Sequence, residues 1–514
     1  MTDESAASAS QLAQWIDAIA SVDPAADELE FEGKWQTWGE LIAAADAIDA
    51  LLSAAGLPAG TRIGVLLRNH AALVPLLLAL FRTGRCLASI NAGAPDDKLA
   101  EDIRRAAVPA LVASEADWAR PGIRDAAAAL GAVGIALTGR AEAPAAAIEG
   151  LPGNPALWSQ SSAAGVAIEM LSSGTTGTPK RIPLTTIKFE HALKGAASFE
   201  KGRGEHDAPR LRGGVQIVTA PLAHISGITG VMNNLLAGRK ICLIERFTVE
   251  AFRDAIVRHR PKVAGAPPSA LRMLLDANLP KEDFASLVAY RCGTAPLDPD
   301  LADAFYQRYG IPVLQNYGAT EFAGGAAGWT LDDFKAHWAT KRGAVGRINK
   351  GIEARIVDPD SGEVLPVGET GLLELRGGNI GGDAEWIRTN DLATLDMDNF
   401  LWIKGRHDGA IIRGGFKVLP DDVVKALETH PAVREAAVTG LDDPRLGQVP
   451  VAAYLVKSGH AVPDEAALKH FLKGKLMPYQ VPVQLLCLEE FPRTPSMKVS
   501  QPALRELFEQ AGRG

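Results

Sequence analysis

The sequence predicts an α/β fold, with a large N-terminal domain of layered α/β subdomains that includes a β subdomain, and a small α+β domain at the C-terminus. Three observations carry the prediction. The chain has 514 residues, 47% of them hydrophobic, more than one core ordinarily serves. Segments with apolar residues at helical spacing alternate with short apolar runs, the pattern of helices packed on a largely parallel sheet. Beyond Gly343 that alternation gives way to short strands separated by tight turns, and a mixed unit begins near Arg406.

The elements follow in order. From Trp35, "WQTWGELIAAADAIDALLSAAGLPAGTRIGVLL" reads as a helix, Gly and Pro punctuation, then a strand. "AALVPLLLALFRTG" followed by "CLASIN" repeats the unit, and "VQIVTAP", "KICLIE", "KVAGAP" and "PVLQNYG" are further short strands. Residues 139–165, rich in Ala, Gly, Pro and Ser, read as a surface loop inside the domain. After Gly343, "GIEARIVDPDSGEVLPVGETGLLELRGG" predicts the β subdomain. Near the C-terminus, "PDDVVKALETHP" predicts a helix capped by Asp421 or Asp422, with Val423, Val424 and Leu427 on one face and Pro431 beyond its end. Strands "VREAAVTGL" and "VPVAAYLV" and the helix "DEAALKHFLKGKL" complete that unit. The two domains are placed at 1–405 and 406–514.

Composition excludes several classes of function. Net charge is −8 and the pI about 5.8, with Lys and Arg dispersed, which argues against a nucleic-acid or anionic-membrane surface. Cys86, Cys242, Cys292 and Cys487 lie far apart without metal-ligand spacing, so they are expected to be reduced, mostly buried, and suited to the cytoplasm. The N-terminus lacks a basic segment before an apolar one, and the most lipid-like run, Ala71–Phe81, is too short to span a bilayer. Secretion and integral membrane association are therefore not expected.

The chemistry starts at Met170–Thr185, "MLSSGTTGTPKRIPLT". A Gly/Thr/Ser loop after a strand offers backbone N–H groups and hydroxyls to phosphate oxygens, and a lysine at its end adds a point charge. It is not a Walker loop, because the sixth position from Gly174 is Pro179 and Arg181 follows Lys180.

The string resembles the phosphate loop of the adenylate-forming superfamily, which includes acyl-CoA synthetases, peptide-synthetase adenylation domains and firefly-type luciferases. "QNYGATE" (Gln315–Glu321), the long segment Arg388–Pro420 and "PRTPSMKVSQ" (Pro492–Gln501) resemble three further motifs of that family in its order. "TWGEL" at Thr37 and "CGTAPL" at Cys292 extend the likeness over most of the chain. The nearest branch is that of fatty-acid or aryl carboxylate:CoA ligases. The resemblance implies ATP, Mg²⁺ and coenzyme A as substrates and cofactor, and a small carboxylic acid as partner; a homodimer is compatible with it.

The resemblance also implies roles. Ser172, Ser173, Gly174, Thr175, Thr176, Gly177, Thr178 and Lys180 would hold ATP phosphates, and Gly293, Thr294, Ala295 and Pro296 would line the adenine. Asn316, Tyr317, Gly318 and Ala319 belong to the second nucleotide motif, where the Tyr stacks beside adenine, Thr320 meets phosphate and Glu321 holds Mg²⁺. Asp391 and Arg406 would contact the ribose. Lys498 would drive adenylation, as its ammonium screens the approach of a carboxylate to the α-phosphate. Asp408 matches the hinge of a mobile C-terminal domain that presents residues 409–417 for thioester formation, with Gly414, Gly415 and Lys417 at coenzyme A. His224 lies between acyl group and nucleotide, with Gly227 and Ile228 as cavity wall.

The sequence departs from the family pattern at Met497 and Arg181, each in place of a common Gly, at Gly409 in place of Asp, and at Gln501 in place of Arg. Two alternatives to the ligase remain open at this level. One is an adenylating enzyme that delivers to a carrier protein, or oxidises its adenylate; the other is a binding protein with degraded catalysis, suggested by Met497. The chain ends at Gly514 with no carrier motif after Lys498, which favours a free acceptor.

Overall fold

The computed structural model describes residues 10–158, 160–172, 180–197, 208–377, 380, 385–407, 409–413, 416–443, 445–494 and 497–511. Four sheets organise these residues. In the first, Ala110–Ser114, Arg62–Leu67, Cys86–Asn91 and Val166–Ser172 lie parallel with Val133–Leu137, and an antiparallel strand closes each edge. The inner strands are mostly apolar and buried along nearly their whole length, as in a sheet covered on both faces. Helix Leu73–Arg82, the lipid-like run, is buried at every position from Leu73 to Phe81. Its all-round hydrophobicity belongs to the core of a large domain, and among the described residues no helix is long and apolar enough to cross a membrane.

One expectation changes here. Residues 139–165 are not all loop, because Ala145–Pro152 forms the edge strand that pairs with Val133–Leu137. Alanine has little preference for strands, and this one is half exposed, so pairing with its neighbour decides its conformation. The turn-rich region after Gly343 forms short strands, as expected. Its strands continue a nine-stranded sheet that starts with the parallel strands Val263–Gly265, Ala289–Cys292 and Val313–Ala319 and becomes antiparallel from Gly324–Gly328 onward.

A four-stranded sheet, Arg212–Val218, Arg239–Leu243, Asp27–Phe31 and Lys34–Thr37, joins these layers. Helix Trp38–Ala54 begins with a capping box: the Glu40 N–H donates to Thr37 Oγ1 at 3.2 Å and the Thr37 N–H to Glu40 Oε2 at 2.8 Å. "TWGEL" is thus a helix start.

After residue 410, Ile411–Arg413, Phe416–Val418, Val433–Asp443, Gly447–Val456 and Gln484–Cys487 form a fourth sheet, with helices Pro420–Glu428, Glu465–Lys473 and Gln501–Ala511 against it. Helix Pro420–Glu428 is capped at Leu419 and not at Asp421 or Asp422. Pro420 already has the φ of a first helical residue, so the chain enters the helix one step earlier. Both aspartates then lie in the first turn, where the helix dipole favours them. Val423 and Leu427 are buried as expected, and Val424 is partly so. All four cysteines are unpaired; Cys86, Cys242 and Cys292 are buried and Cys487 is exposed.

Candidate active site

The candidate residues gather beyond the carboxyl ends of Ala289–Cys292 and Val313–Ala319, where open parallel sheets bind ligands. Gly293 is dictated by its neighbour, since a Cβ there would come within 2.4 Å of Asn316 Oδ1. Thr294 has φ +69°, a left-handed conformation that a β-branched residue seldom adopts. Such strain, held in place by surrounding structure, concentrates at functional turns. Thr294, Pro296, Asn316 and Gly318 are exposed, as nucleotide contacts must be, and Gly293, Ala295, Tyr317 and Ala319 are half-buried. Gly318 allows the approach of the Gly324 carbonyl, 2.3 Å from where its Cβ would lie.

Asp391 and Arg406 are directly opposed on antiparallel strands, with Arg406 Nη1 3.6 Å from Asp391 Oδ1. Tyr317 reaches across from its own strand and donates its hydroxyl to Asp391 Oδ2 at 2.5 Å, while the Asp391 N–H donates to Thr389 Oγ1 at 3.1 Å. Burial and the Asp391 charge both push the Tyr317 phenol far above its usual pKa, so it serves here as a donor. The carboxylate is thereby fixed in orientation and keeps acceptor capacity for a diol.

His224 sits at the N-cap of helix Ile225–Leu236. The loop before it is pinned by buried Asn69, whose amide donates to the Ala220 and Ile244 carbonyls at 3.2 and 3.0 Å and whose oxygen accepts from the Leu222 N–H at 2.8 Å. His224 Nε2 is buried with no hydrogen-bond partner among the described residues. Burial first, then the charge of Lys498, pushes the imidazole pKa down to about 4. An orphaned polar atom of this kind calls for a partner that the protein alone does not supply. Of the expected cavity wall, Gly227 lets the Pro221 carbonyl oxygen come within 2.2 Å of where a Cβ would lie, and Ile228 is fully buried in the main core.

Lys498 brings the C-terminal unit to this place. Burial among protein atoms, with Arg406 second, lowers its ammonium pKa, although the side chain stays open to solvent at the mouth of the cleft. Lys498 is therefore close enough to Arg406 and to His224 for the charges to act on one another. Met497 before it has φ +63°, the left-handed conformation in which glycine is at ease, at a cost of about 1 kcal/mol for a residue with a side chain. The methionine thus holds a backbone conformation that a glycine would adopt without that cost.

Thr320 and Glu321 form a short 3₁₀ turn, with Thr320 half-buried and the Glu321 carboxylate exposed. A hard, solvent-facing carboxylate fits Mg²⁺ bound through waters and phosphates. Lys188, on helix Thr186–Ala197, is a residue that sequence reasoning missed. Burial lowers its pKa while the Glu321 charge opposes the shift, so it faces that carboxylate. Arg181 donates from Nη1 to the Ser89 carbonyl at 3.1 Å.

Ser173, Gly174, Thr175, Thr176, Gly177, Thr178, Asp408, Gly414 and Gly415 lie outside the described residues. For Ser172 and Lys180 the backbone pairing is described: the two residues oppose each other and close the antiparallel pair that flanks the phosphate loop. Lys417 is described as a strand position opposite Ile412. Glu30, Cys242 and His259 could offer three metal-ligand atoms, but they lie in the four-stranded sheet region, and Arg258 donates to both Glu30 Oε1 (2.7 Å) and His259 Nε2 (3.2 Å). We read that cluster as a buried ion-pair network.

The combination of a strand-end nucleotide cleft, a ribose-type carboxylate and a lysine delivered by a separate unit defines an adenylate-forming class of enzyme. The chain belongs to the AMP-binding enzyme family: residues 9–382 match the family itself and 423–498 match its C-terminal domain. A 2-succinylbenzoate–CoA ligase of Bacillus cereus is 28% identical over 512 residues, covering 96% of this chain and 98% of that protein. The 4-coumarate–CoA ligase-like 9 of Arabidopsis thaliana is 30% identical over 364 residues, 66% of this chain and 61% of that protein. ATP-bound MatB from Rhodopseudomonas palustris shares 25% identity, 97% of this chain, 99% of its own and a TM-score of 0.80; its apo form, with the same identity and coverage, reaches 0.67. The arrangement seen here is nearer the ATP-bound form.

Proposed function

We infer that the protein is an ATP-dependent carboxylic acid:CoA ligase, with an aryl acid as the favoured substrate class in preference to a fatty acid. The observation that carries the reading is the approach of Lys498 to Arg406 and His224 beside the Tyr317–Asp391 pair. In the first half-reaction a carboxylate oxygen attacks the ATP α-phosphorus, the bond to the β-phosphate bridging oxygen breaks, and pyrophosphate leaves. Lys498 screens the meeting of two anions and stabilises charge moving toward pyrophosphate. Asp391, oriented by Tyr317, accepts the ribose hydroxyls, and neutral His224 offers a ring nitrogen beside the acyl group. Glu321 and Thr320 would hold Mg²⁺ and phosphate; the ion supplies charge neutralisation on the phosphates when bound. In the second half-reaction the coenzyme A thiol attacks the acyl carbon and AMP leaves. Domains at 1–405 and 406–514 with a hinge at Asp408 would let the lysine withdraw between the two steps and bring Gly414, Gly415 and Lys417 to coenzyme A. The unpaired cysteines suit a cytoplasmic setting.

Aryl substrates are supported by the names of the relatives, 2-succinylbenzoate and 4-coumarate ligases. A panel of aryl, alicyclic and fatty acids assayed for pyrophosphate release with and without coenzyme A tests the reading. An aryl acid is expected to give the fastest release, with acyl-CoA detected by mass. Acyl-AMP that accumulates with coenzyme A present would move the assignment to a carrier-protein acceptor, and no release with any acid would reject the ligase.

A further inference from the structure

The mechanism above needs Lys498 to be aimed, yet the residue before it is a left-handed methionine. The turn is held partly from within: the Thr494 N–H donates to the Lys498 carbonyl at 2.8 Å, the Met497 N–H to the Thr494 carbonyl at 2.9 Å, and Arg493 faces Val499 across an isolated bridge. The Met497 carbonyl, which belongs to the peptide unit that leads into Lys498, accepts two hydrogen bonds. One comes from Arg493 Nη1 at 2.9 Å, itself fixed by two contacts from Nη2 to Glu435 at 2.7 and 2.8 Å. The other comes from outside the turn, from Ser269 Oγ at 3.3 Å, at the start of helix Pro268–Asp276 and 228 positions away in sequence.

We propose that Ser269 is a positioning residue for adenylation, a latch by which the large domain fixes the Met497–Lys498 peptide while the lysine is at the nucleotide. Arg493 and Glu435 travel with the C-terminal unit, so their grip on the Met497 carbonyl is independent of where that unit sits. Ser269 stays on the large domain, so its hydrogen bond exists only in the arrangement that brings Lys498 near His224 and Arg406. A contact present in one arrangement and absent in the other biases the equilibrium toward the first by its own free energy. A left-handed side-chain-bearing residue directly before Lys498 makes the local backbone dependent on such outside support, because it has an easier conformation to relax into. Arg434 Nη1, 4.0 Å from Asp276 Oδ2 at the other end of the same helix, makes a second contact across this boundary.

The inference rests on the adenylating role of Lys498, and the test separates the two. Ser269→Ala, Ser269→Thr and Lys498→Ala are compared with the parent for exchange of labelled pyrophosphate into ATP and for thioester formation from supplied acyl-AMP, with the aryl acid of fastest pyrophosphate release. The ratio of the two half-reactions in one preparation cancels any difference in folded fraction. Ser269→Ala is expected to lower the exchange kcat about fivefold, the scale of one net hydrogen bond, without a rise in the KM for ATP or a change in thioester formation. Ser269→Thr, which keeps the hydroxyl, is expected to exchange within about twofold of the parent. An equal fall of both half-reactions in Ser269→Ala, an unaltered exchange rate, or a threonine variant as slow as the alanine one overturns the latch. If Lys498→Ala abolishes exchange while Ser269→Ala leaves it intact, the latch fails alone; if Lys498→Ala still exchanges, the lysine assignment falls and the latch with it.

Discussion

His224 carries a titration that the fold has moved. An ordinary imidazole has a pKa of 6.5, and here burial and Lys498 bring it down to about 4, so it is neutral throughout the physiological range. Between those two values the unfolded chain binds a proton that the native chain refuses. Stability linked to this residue is therefore fully present above pH 6.5 and is lost as the pH falls toward 4, by about 3 kcal/mol at most. His224→Asn is expected to flatten the pH dependence of urea unfolding in that window; an unchanged slope would show that the imidazole titrates normally. The motif made His224 a candidate, but its orphaned Nε2 and its lysine neighbour depend on parts of the chain far apart in sequence. Ser269 and Lys188 left no mark at all, because each acquires its meaning from a partner more than a hundred residues away.

At the scale of elements, local signals served well where the local chain decides and failed where a neighbour decides. The capping box at Thr37 is local, and Thr37→Ala is expected to cost about 1 kcal/mol of stability in chemical denaturation with kcat unchanged. A larger loss of activity than of stability would mean that the motif serves the site directly. The helix after "PDDVV" was legible, but its start moved to Leu419 once Pro420 took the first helical position. The edge strand Ala145–Pro152 was hidden, since an alanine-rich segment has no strand pattern until another strand lies beside it. The same holds for the turn-rich strands after Gly343, whose short alternation was visible and whose membership of a nine-stranded sheet was not. That continuity matters for the site. It carries Tyr317, on a strand of the parallel part, to Asp391 and Arg406 in the antiparallel part.

At the scale of the whole molecule, the proposed mechanism has two units share one catalytic task in turn. Among the described residues, contacts across the boundary include Ser269 to the Met497 carbonyl, Arg434 near Asp276, the mutual influence of Lys498 with Arg406 and His224, and Leu419 packed against Val357, Leu372 and Leu392. Domains of one chain move relative to each other unless their interface is large and hydrophobic, and the proposed exchange of one reactive group for another needs such movement. Glu428, at the end of helix Pro420–Glu428, belongs to the same boundary. Burial pushes its pKa up to about 7, with Arg272 and Asp298 of the large domain among the charges that act on it. The four motifs in order pointed to this division of labour, whereas which arrangement the chain adopts was beyond their reach, because it depends on hydrogen bonds between the units.

The most direct measurement is the pair of half-reactions in Lys498→Ala. The account predicts that pyrophosphate exchange falls by at least a hundredfold, the order of one charged group lost from the transition state, while thioester formation from supplied acyl-AMP stays within about twofold of the parent. Equal loss of both, or exchange that survives the substitution, would contradict it.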